Sequence, residues 1–261
     1  MIDNALASMT NGLQASRTEQ CPTHGPYESK NVWGRIWTKC PTCSQEEAAK
    51  ERAIAEAAER KRKQDQWQER MGESGIPERF RDRALGKFIA ETPEQKAALD
   101  FATAYADGFA DVLKTGRCAI FVGKPGTGKT HLAAGIGLRL MHRDQRIVLF
   151  TTVMRAIRRI KDTWGKAATE SEGQAIAALV APDLLILDEV GVQFGSDTEK
   201  LILFDVLNER YEKRKPTLLL SNLAMEEVKA YLGERIFDRL REDGGQAIPF
   251  DWESHRGRVA A

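Results

Sequence analysis

With 261 residues the chain can hold one α/β domain with a sizeable core and a small appendage. Its 39 basic and 38 acidic side chains leave a net charge of +1, which confines any nucleic-acid contact to a local patch. The longest apolar runs, such as 184–187 and 218–220, are of strand length, and the first residues lack a basic segment followed by an apolar one, so neither a membrane span nor a secretion signal is expected and a cytoplasmic location follows.

Residues 1–20 are polar with scattered Leu and Met and read as a loose or marginally helical leader. Cys21-Pro-Thr-His24-Gly25 and Cys40-Pro-Thr-Cys43 then form a C-x2-H…C-x2-C pattern like that of a zinc ribbon, the second pair returning from a strand-like segment over 32–38. Two ligands two residues apart fit a tight knuckle. Four protein ligands fill a tetrahedron, so Cys21, His24, Cys40 and Cys43 are expected to hold a structural Zn²⁺ that supplies the folding energy this short stretch lacks.

Residues 44–70 are rich in Ala, Glu, Lys, Arg and Gln, with Glu46/Lys50, Glu56/Arg60 and Glu59/Lys63 at four-residue spacing, and read as a long solvated helix. Met71-Gly-Glu-Ser-Gly75 breaks it. The expected organisation is a zinc-binding N-terminal domain over 1–45, a helical linker over 46–75 and a larger α/β domain over 76–261. That last domain opens with Ile76-Pro-Glu-Arg-Phe80, and a helix follows over 92–112, capped by Thr92 with Pro93 at its first position.

An apolar strand over 118–122 runs into Gly123-Lys124-Pro125-Gly126-Thr127-Gly128-Lys129-Thr130-His131, and Leu132, Ile136 and Leu140 continue at helical spacing. Gly123-x4-Gly128-Lys129-Thr130 is the spacing of a Walker A loop, whose glycines let backbone N–H groups turn onto the β-phosphate at a helix N-terminus. ATP is the expected ligand of residues 123–131, with Lys129 bridging the β- and γ-phosphates and Thr130 on Mg²⁺. A strand over 146–152 and a helix over 153–164 follow. That helix carries Arg155, Arg158 and Arg159, the best local basic patch in the chain.

Leu184-Leu-Ile-Leu-Asp188-Glu189 reads as a buried strand ending in two carboxylates, a Walker B arrangement. Asp188 suits Mg²⁺, and Glu189 suits orientation and deprotonation of an attacking water. The helix over 200–213 is expected to pack Leu201, Phe204, Val206, Leu207 and Tyr211 inward. Residues 216–220 are expected to form another buried strand whose tip directs Asn222 toward the γ-phosphate, unless that residue merely caps the helix begun by Glu226-Glu227, and helical spacing places Arg235 and Arg239 on one face. A fifth strand is expected over 246–250.

The stretches 123–130 and 184–191, Ser221-Asn222, Gly233-Glu-Arg235 with Arg239, and His255-Arg256-Gly-Arg258 together resemble the DnaC/IstB-like group of AAA+ ATPases over residues 76–259, and most closely the helicase loaders among them. The resemblance implies an α/β P-loop NTPase fold of AAA+ type, with a five-stranded parallel sheet and flanking helices. It also implies Asn222 as sensor 1, Arg235 as a finger acting on a neighbouring subunit's ATP, Arg239 as a supporting arginine and Arg256 as sensor 2. With only three residues after Arg258, it implies no helical lid. The implied partners are a hexameric replicative helicase, single-stranded DNA touched by the helix over 153–164, and further copies of the ATPase domain assembled on that helicase. Transposition regulators of the IstB type share these motifs but typically lack the Cys/His cluster. A small-molecule kinase is the third reading, disfavoured because Glu189 and Arg235 suit water attack and coupling between subunits.

Overall fold

The computed structural model describes residues 15–32, 35–191 and 196–255. Arg256, Arg258 and most of the expected leader lie outside these residues. The chain divides into two units, Met1–Gln66 and Trp67–Ala261.

In the first unit, β1 (Ser16–Cys21) and β2 (Gly25–Val32) form an antiparallel hairpin, and β3 (Ile36–Trp37) pairs with the end of β2. Residues 16–20 are therefore a strand and not part of a loose leader. Within the segment expected to be extended over 32–38, Val32 ends β2 and Ile36–Trp37 form β3, while the Ser29 hydroxyl donates to the Thr38 carbonyl and the Lys30 N–H to the Thr38 hydroxyl. Helix α1 (Pro41–Glu73) begins in this unit, and only Met71 of its residues is buried. Its Glu59–Lys63 pair forms as expected at 2.8 Å.

In the second unit, α2 (Pro93–Asp107) starts at a capping box between Thr92 and Gln95. The single helix expected over 92–112 breaks at Gly108, and α3 (Phe109–Thr115) follows. The chain continues through β4 (Ala119–Gly123), α4 (Lys129–Arg143), β5 (Val148–Thr152), α5 (Val153–Asp162), α6 (Glu172–Val180), β6 (Leu184–Asp188), α7 (Asp197–Glu212), β7 (Thr217–Leu220), α8 (Met225–Leu232), α9 (Glu234–Arg241) and β8 (Gln246–Phe250). All five strands β4–β8 are parallel, in the order β5-β6-β7-β4-β8.

Strand alternation divides the core into two layers. Phe121, Ile186 and Leu220 face α2 and α4 with Ala102, Leu132 and Ile136, whereas Ile120, Leu185 and Leu219 face α5–α7 and α9 with Ile157, Val206 and Ile236. Each fully buried aliphatic side chain contributes about 1.5–3 kcal/mol of transfer free energy. That burial on both faces explains why the strands are runs of aliphatic residues without polar alternation.

Helix α7 corrects one expectation. Leu201 is 66% exposed and Tyr211 37%, while Ile202, Leu203, Val206, Leu207 and Arg210 point inward. The Arg210 guanidinium is wholly buried. It donates to the carbonyls of Leu179, Val180, Pro182 and Pro216 at 2.6–3.1 Å and to the Thr217 hydroxyl at 3.0 Å. One side chain thus ties the end of α6 to the entries of β6 and β7. Burial lowers its pKa to about 10, so it stays charged at neutral pH.

Candidate nucleotide and metal sites

The carboxyl ends of β4, β6 and β7, three adjacent strands, bring the expected nucleotide residues together. Gly123 ends β4 with φ +124°, and a Cβ there would lie 2.5 Å from the Phe250 carbonyl oxygen. Gly128 precedes α4 with φ +99°, and a Cβ there would meet the Phe88 ring at 2.6 Å. Only glycine satisfies both the backbone and the space. Between them the loop wraps the Lys129 ammonium, which is buried and donates to the carbonyls of Gly123 at 2.6 Å and Lys124 at 2.7 Å. Thr127 is also buried and closes the loop by donating its hydroxyl to the Lys124 carbonyl at 2.8 Å. A cation fixed inside a glycine loop at a helix N-terminus suits a polyphosphate. His131, expected in the same cradle, turns its ring away to the Ala84 carbonyl at 3.2 Å and the Phe88 ring, leaving only its backbone at the helix start.

Thr130 and Asp188 come from elements 58 residues apart, yet the Thr130 hydroxyl donates to Asp188 Oδ2 at 3.1 Å. A hydroxyl and a carboxylate converging beside a phosphate cradle are the donor set of a hard divalent cation such as Mg²⁺. Burial raises the Asp188 pKa, against the pull of the Glu189 N–H, which donates to Oδ1 at 2.8 Å, and of the Thr130 hydroxyl. A bound cation would remove that penalty.

Glu189 is exposed and sits in the left-handed region at φ +62°, a conformation costing a non-glycine residue about 1–2 kcal/mol. Its charge is close enough to Asp188 to add to the upward push on that carboxyl. Asn222 is exposed two residues beyond β7. Its neighbour Ser221 is the residue that sequence reasoning underrated. Buried, it donates its hydroxyl to the Val190 carbonyl at 2.7 Å and its N–H to the Phe121 carbonyl at 2.9 Å, locking the tip of β7 between those of β6 and β4.

Arg235 and Arg239 share a face of α9, as their spacing requires, and both lie over α7. The Arg235 guanidinium is exposed, 5.5 Å from the Phe204 ring, whereas Arg239 donates to the Asn208 side chain and stacks on Tyr211 at 4.8 Å. On α5, Arg155 and Arg158 are exposed beside a cleft of about 400 Å³. Arg159 lines it too but forms a two-pronged ion pair with Glu170 at 2.9 Å, so the patch is less basic than the sequence suggests.

In the first unit, Cys21, His24, Cys40 and Cys43 place their ligand atoms within 4.8 Å of one another. Cys21 Sγ lies 3.5 Å from Cys43 Sγ, and His24 Nδ1 lies 3.3 Å from Cys43 Sγ and 3.8 Å from the other two sulfurs. Tetrahedral zinc with ordinary bond lengths separates its ligand atoms by about 3.6–3.8 Å. The cluster fits such an ion. Backbone N–H groups of Thr23 and His24 pull the Cys21 thiol down to about 6, while hydrogen bonding to Cys21 pushes Cys43 up to about 12. With Nδ1 facing the sulfurs, the ring proton sits on Nε2, which donates to Glu46 Oε1 at 3.1 Å. Such a carboxylate partner orients a ligating imidazole. The helical pairing expected between Glu46 and Lys50 obscured this role.

The family model of IstB-like ATP binding proteins matches residues 104–258. The chain belongs to the IstB-like ATP-binding family. A relative, the replicative helicase loader DnaC of Escherichia coli (strain K12), is 38% identical over 208 residues, covering 79% of this chain and 83% of that protein. The crystal structure of the DnaC helicase loader superposes with a TM-score of 0.60 at 20% identity, covering 66% of this chain and 99% of that one. AMPPCP-bound DnaA from Aquifex aeolicus superposes with a TM-score of 0.54 at 20% identity, over 67% of this chain and 50% of that one. The IstB-like unit therefore has the AAA+ P-loop fold, the five-stranded parallel sheet that the motifs implied. Among the described residues no helix is long and apolar enough to cross a membrane.

Proposed function

We propose that this IstB-like protein is an ATP-hydrolysing loader that places a hexameric replicative helicase on single-stranded DNA in the cytoplasm. The observation that carries the reading is the 38% identity to the DnaC helicase loader over most of both chains.

In this reading Lys129 and the N–H groups of 126–131 hold the ATP phosphates, and Thr130 and Asp188 hold Mg²⁺. When bound, the ion neutralises charge on the β- and γ-phosphates. Glu189 takes the proton of the attacking water, and Asn222 orients that water against the γ-phosphate. Arg235, exposed and aligned by Phe204, reaches a neighbouring subunit's ATP, while Arg239 holds α9 against α7 through Asn208 and Tyr211. Arg256, which lies outside the described residues, is proposed as sensor 2 because it directly follows a segment bonded to the Walker loop. Copies of the ATPase domain assemble on the helicase. Single-stranded DNA is held by Arg155 and Arg158, with Arg159 free to join only when Glu170 releases it.

Zinc at Cys21, His24, Cys40 and Cys43 organises the N-terminal unit that docks on the helicase. The IstB-type alternative, regulation of a transposase, is favoured by the name of the matched family, but it gives the Cys/His cluster no task.

The test is reconstitution with the replicative helicase of the same cell. The two proteins should copurify, and the pair should deposit helicase on circular single-stranded DNA. Lys129→Ala should stop ATP binding, and Glu189→Gln should keep binding but stop turnover. No copurification and no deposition by protein that binds ATP would overturn the loader reading.

A further inference from the structure

The residues after β8 fold back over the Walker loop. Lys124 donates its N–H to the Phe250 carbonyl at 3.1 Å, the Trp252 indole Nε1–H donates to the Thr127 carbonyl at 2.9 Å, and the His255 N–H donates to the Gly126 carbonyl at 3.0 Å. Trp252 is held for this contact by its ring, which packs 4.8 Å from the buried Phe250 ring, itself 5.1 Å from Phe121 of β4.

In a trans peptide the C=O and N–H of one plane point in opposite directions, and this structure has no cis bonds among the described residues. Each contact therefore fixes two groups. A Gly126 carbonyl drawn outward to His255 sends the Thr127 N–H inward. A Thr127 carbonyl drawn outward to Trp252 sends the Gly128 N–H inward. The Gly123–Lys124 plane is set in the reverse sense, its carbonyl on the Lys129 ammonium and its N–H on Phe250. The Lys124 carbonyl also points to Lys129, and the plane it shares with Pro125 has no N–H to send outward.

We propose that Trp252 is a positioning residue for nucleotide binding. Its indole N–H holds the Thr127–Gly128 peptide in the orientation that aims the Gly128 N–H at the β-phosphate. This rests on the reading of 123–131 as the nucleotide cradle. Nothing in the Walker pattern itself points to a tryptophan some 120 residues downstream of it. The anion-binding geometry of the loop is thus set from outside, by the segment that leads to Arg256.

The test compares nucleotide affinities of full-length Trp252→Phe, which keeps an aromatic ring against Phe250 and deletes the donor, with wild type, using fluorescent ATP and ADP analogues. Both dissociation constants should rise about three- to tenfold, the loss that corresponds to one hydrogen bond. KM should rise by a similar factor with kcat nearly kept, and the nucleotide-free melting temperature should stay within about two degrees. Incorporating 3-benzothienylalanine at position 252 replaces only the N–H by sulfur, and it should reproduce the rise even if the Phe variant proves unstable. Wild-type affinity in the benzothienyl protein overturns the proposal. Lys129→Ala, measured alongside, separates the two levels: loss of binding there with no change at 252 sinks the positioning role alone, whereas wild-type binding by Lys129→Ala sinks the nucleotide site on which it rests.

Discussion

Arg210→Met should be among the most damaging single substitutions in the ATPase unit, although it touches no nucleotide residue. The guanidinium satisfies four carbonyls and one hydroxyl where water does not reach. Methionine approximates the stem and supplies no donor. A buried acceptor left unmade costs about 1–3 kcal/mol; the Pro216 carbonyl keeps the Leu185 N–H at 3.4 Å, and the other four together would exceed that cost several-fold. Removing an ion that was itself costly to bury, and relaxation of the α6 end, offset part of this, leaving about 3–5 kcal/mol. In a unit of this size 1 kcal/mol moves the melting temperature by about 2–4 °C, so the midpoint should fall by roughly 6–20 °C. Calorimetry or far-UV circular dichroism of the zinc-loaded full chain would measure it. Arg210→Lys should fall as well, because one ammonium cannot reach Leu179, Pro182 and Pro216 together. A drop under about 2 °C for Arg210→Met would show that the network adds nothing to the fold.

Asp188 predicts a pH effect. Its folded pKa is raised by burial, so the folded state retains a proton that the unfolded chain releases near its ordinary value of 3.8. In magnesium-free buffer stability should therefore fall as pH rises from about that value through the folded pKa, and Asp188→Asn should flatten the slope; equal slopes in thermal melts would refute this. Elemental analysis should find one zinc per chain, and Glu46→Gln should weaken zinc affinity by about ten- to a hundredfold in a chelator competition, with an unchanged affinity excluding its role behind His24. Dilute protein should be a weak ATPase on its own. Mixing Arg235→Ala with Glu189→Gln chains on the helicase should restore some turnover, and a dead mixture under conditions of proven co-assembly would exclude a finger acting in trans.

Much of the nucleotide site was legible because the chemistry fixes both residue type and spacing. Gly123, Gly128, Lys129 and Thr130 have few substitutes in a loop that turns its amides inward, and Asp188 is announced by four aliphatics that only a strand buried on both faces would carry. What escaped is what depends on contacts remote in sequence. Glu46 has two possible partners, and local helical spacing favoured Lys50 over the imidazole that the hairpin folds onto it. Leu201 and Ile202 are adjacent aliphatics on α7, and which one faces the sheet is decided by the rotation of the helix, which Arg210 helps to set. Gly108 sat in a stretch of good helix formers, and its break became visible only with α3 packed as a separate helix. Trp252 lies outside every motif, since its task is a hydrogen bond to a backbone carbonyl, for which no side-chain pattern exists.

The strand order also bears on how such a chain is made. β4, which carries the Walker loop, is paired on one side with β7 and on the other with β8, both drawn from chain about a hundred or more residues downstream. A nascent chain emerging at a few residues per second would hold Ile120, Phe121 and Val122 without their sheet neighbours for many seconds. Nucleotide offers no early remedy, because the cradle it would stabilise awaits Phe250, the last residue of β8. Aggregation during synthesis, more than instability once folded, is where substitutions in β4 and β8 should first be felt.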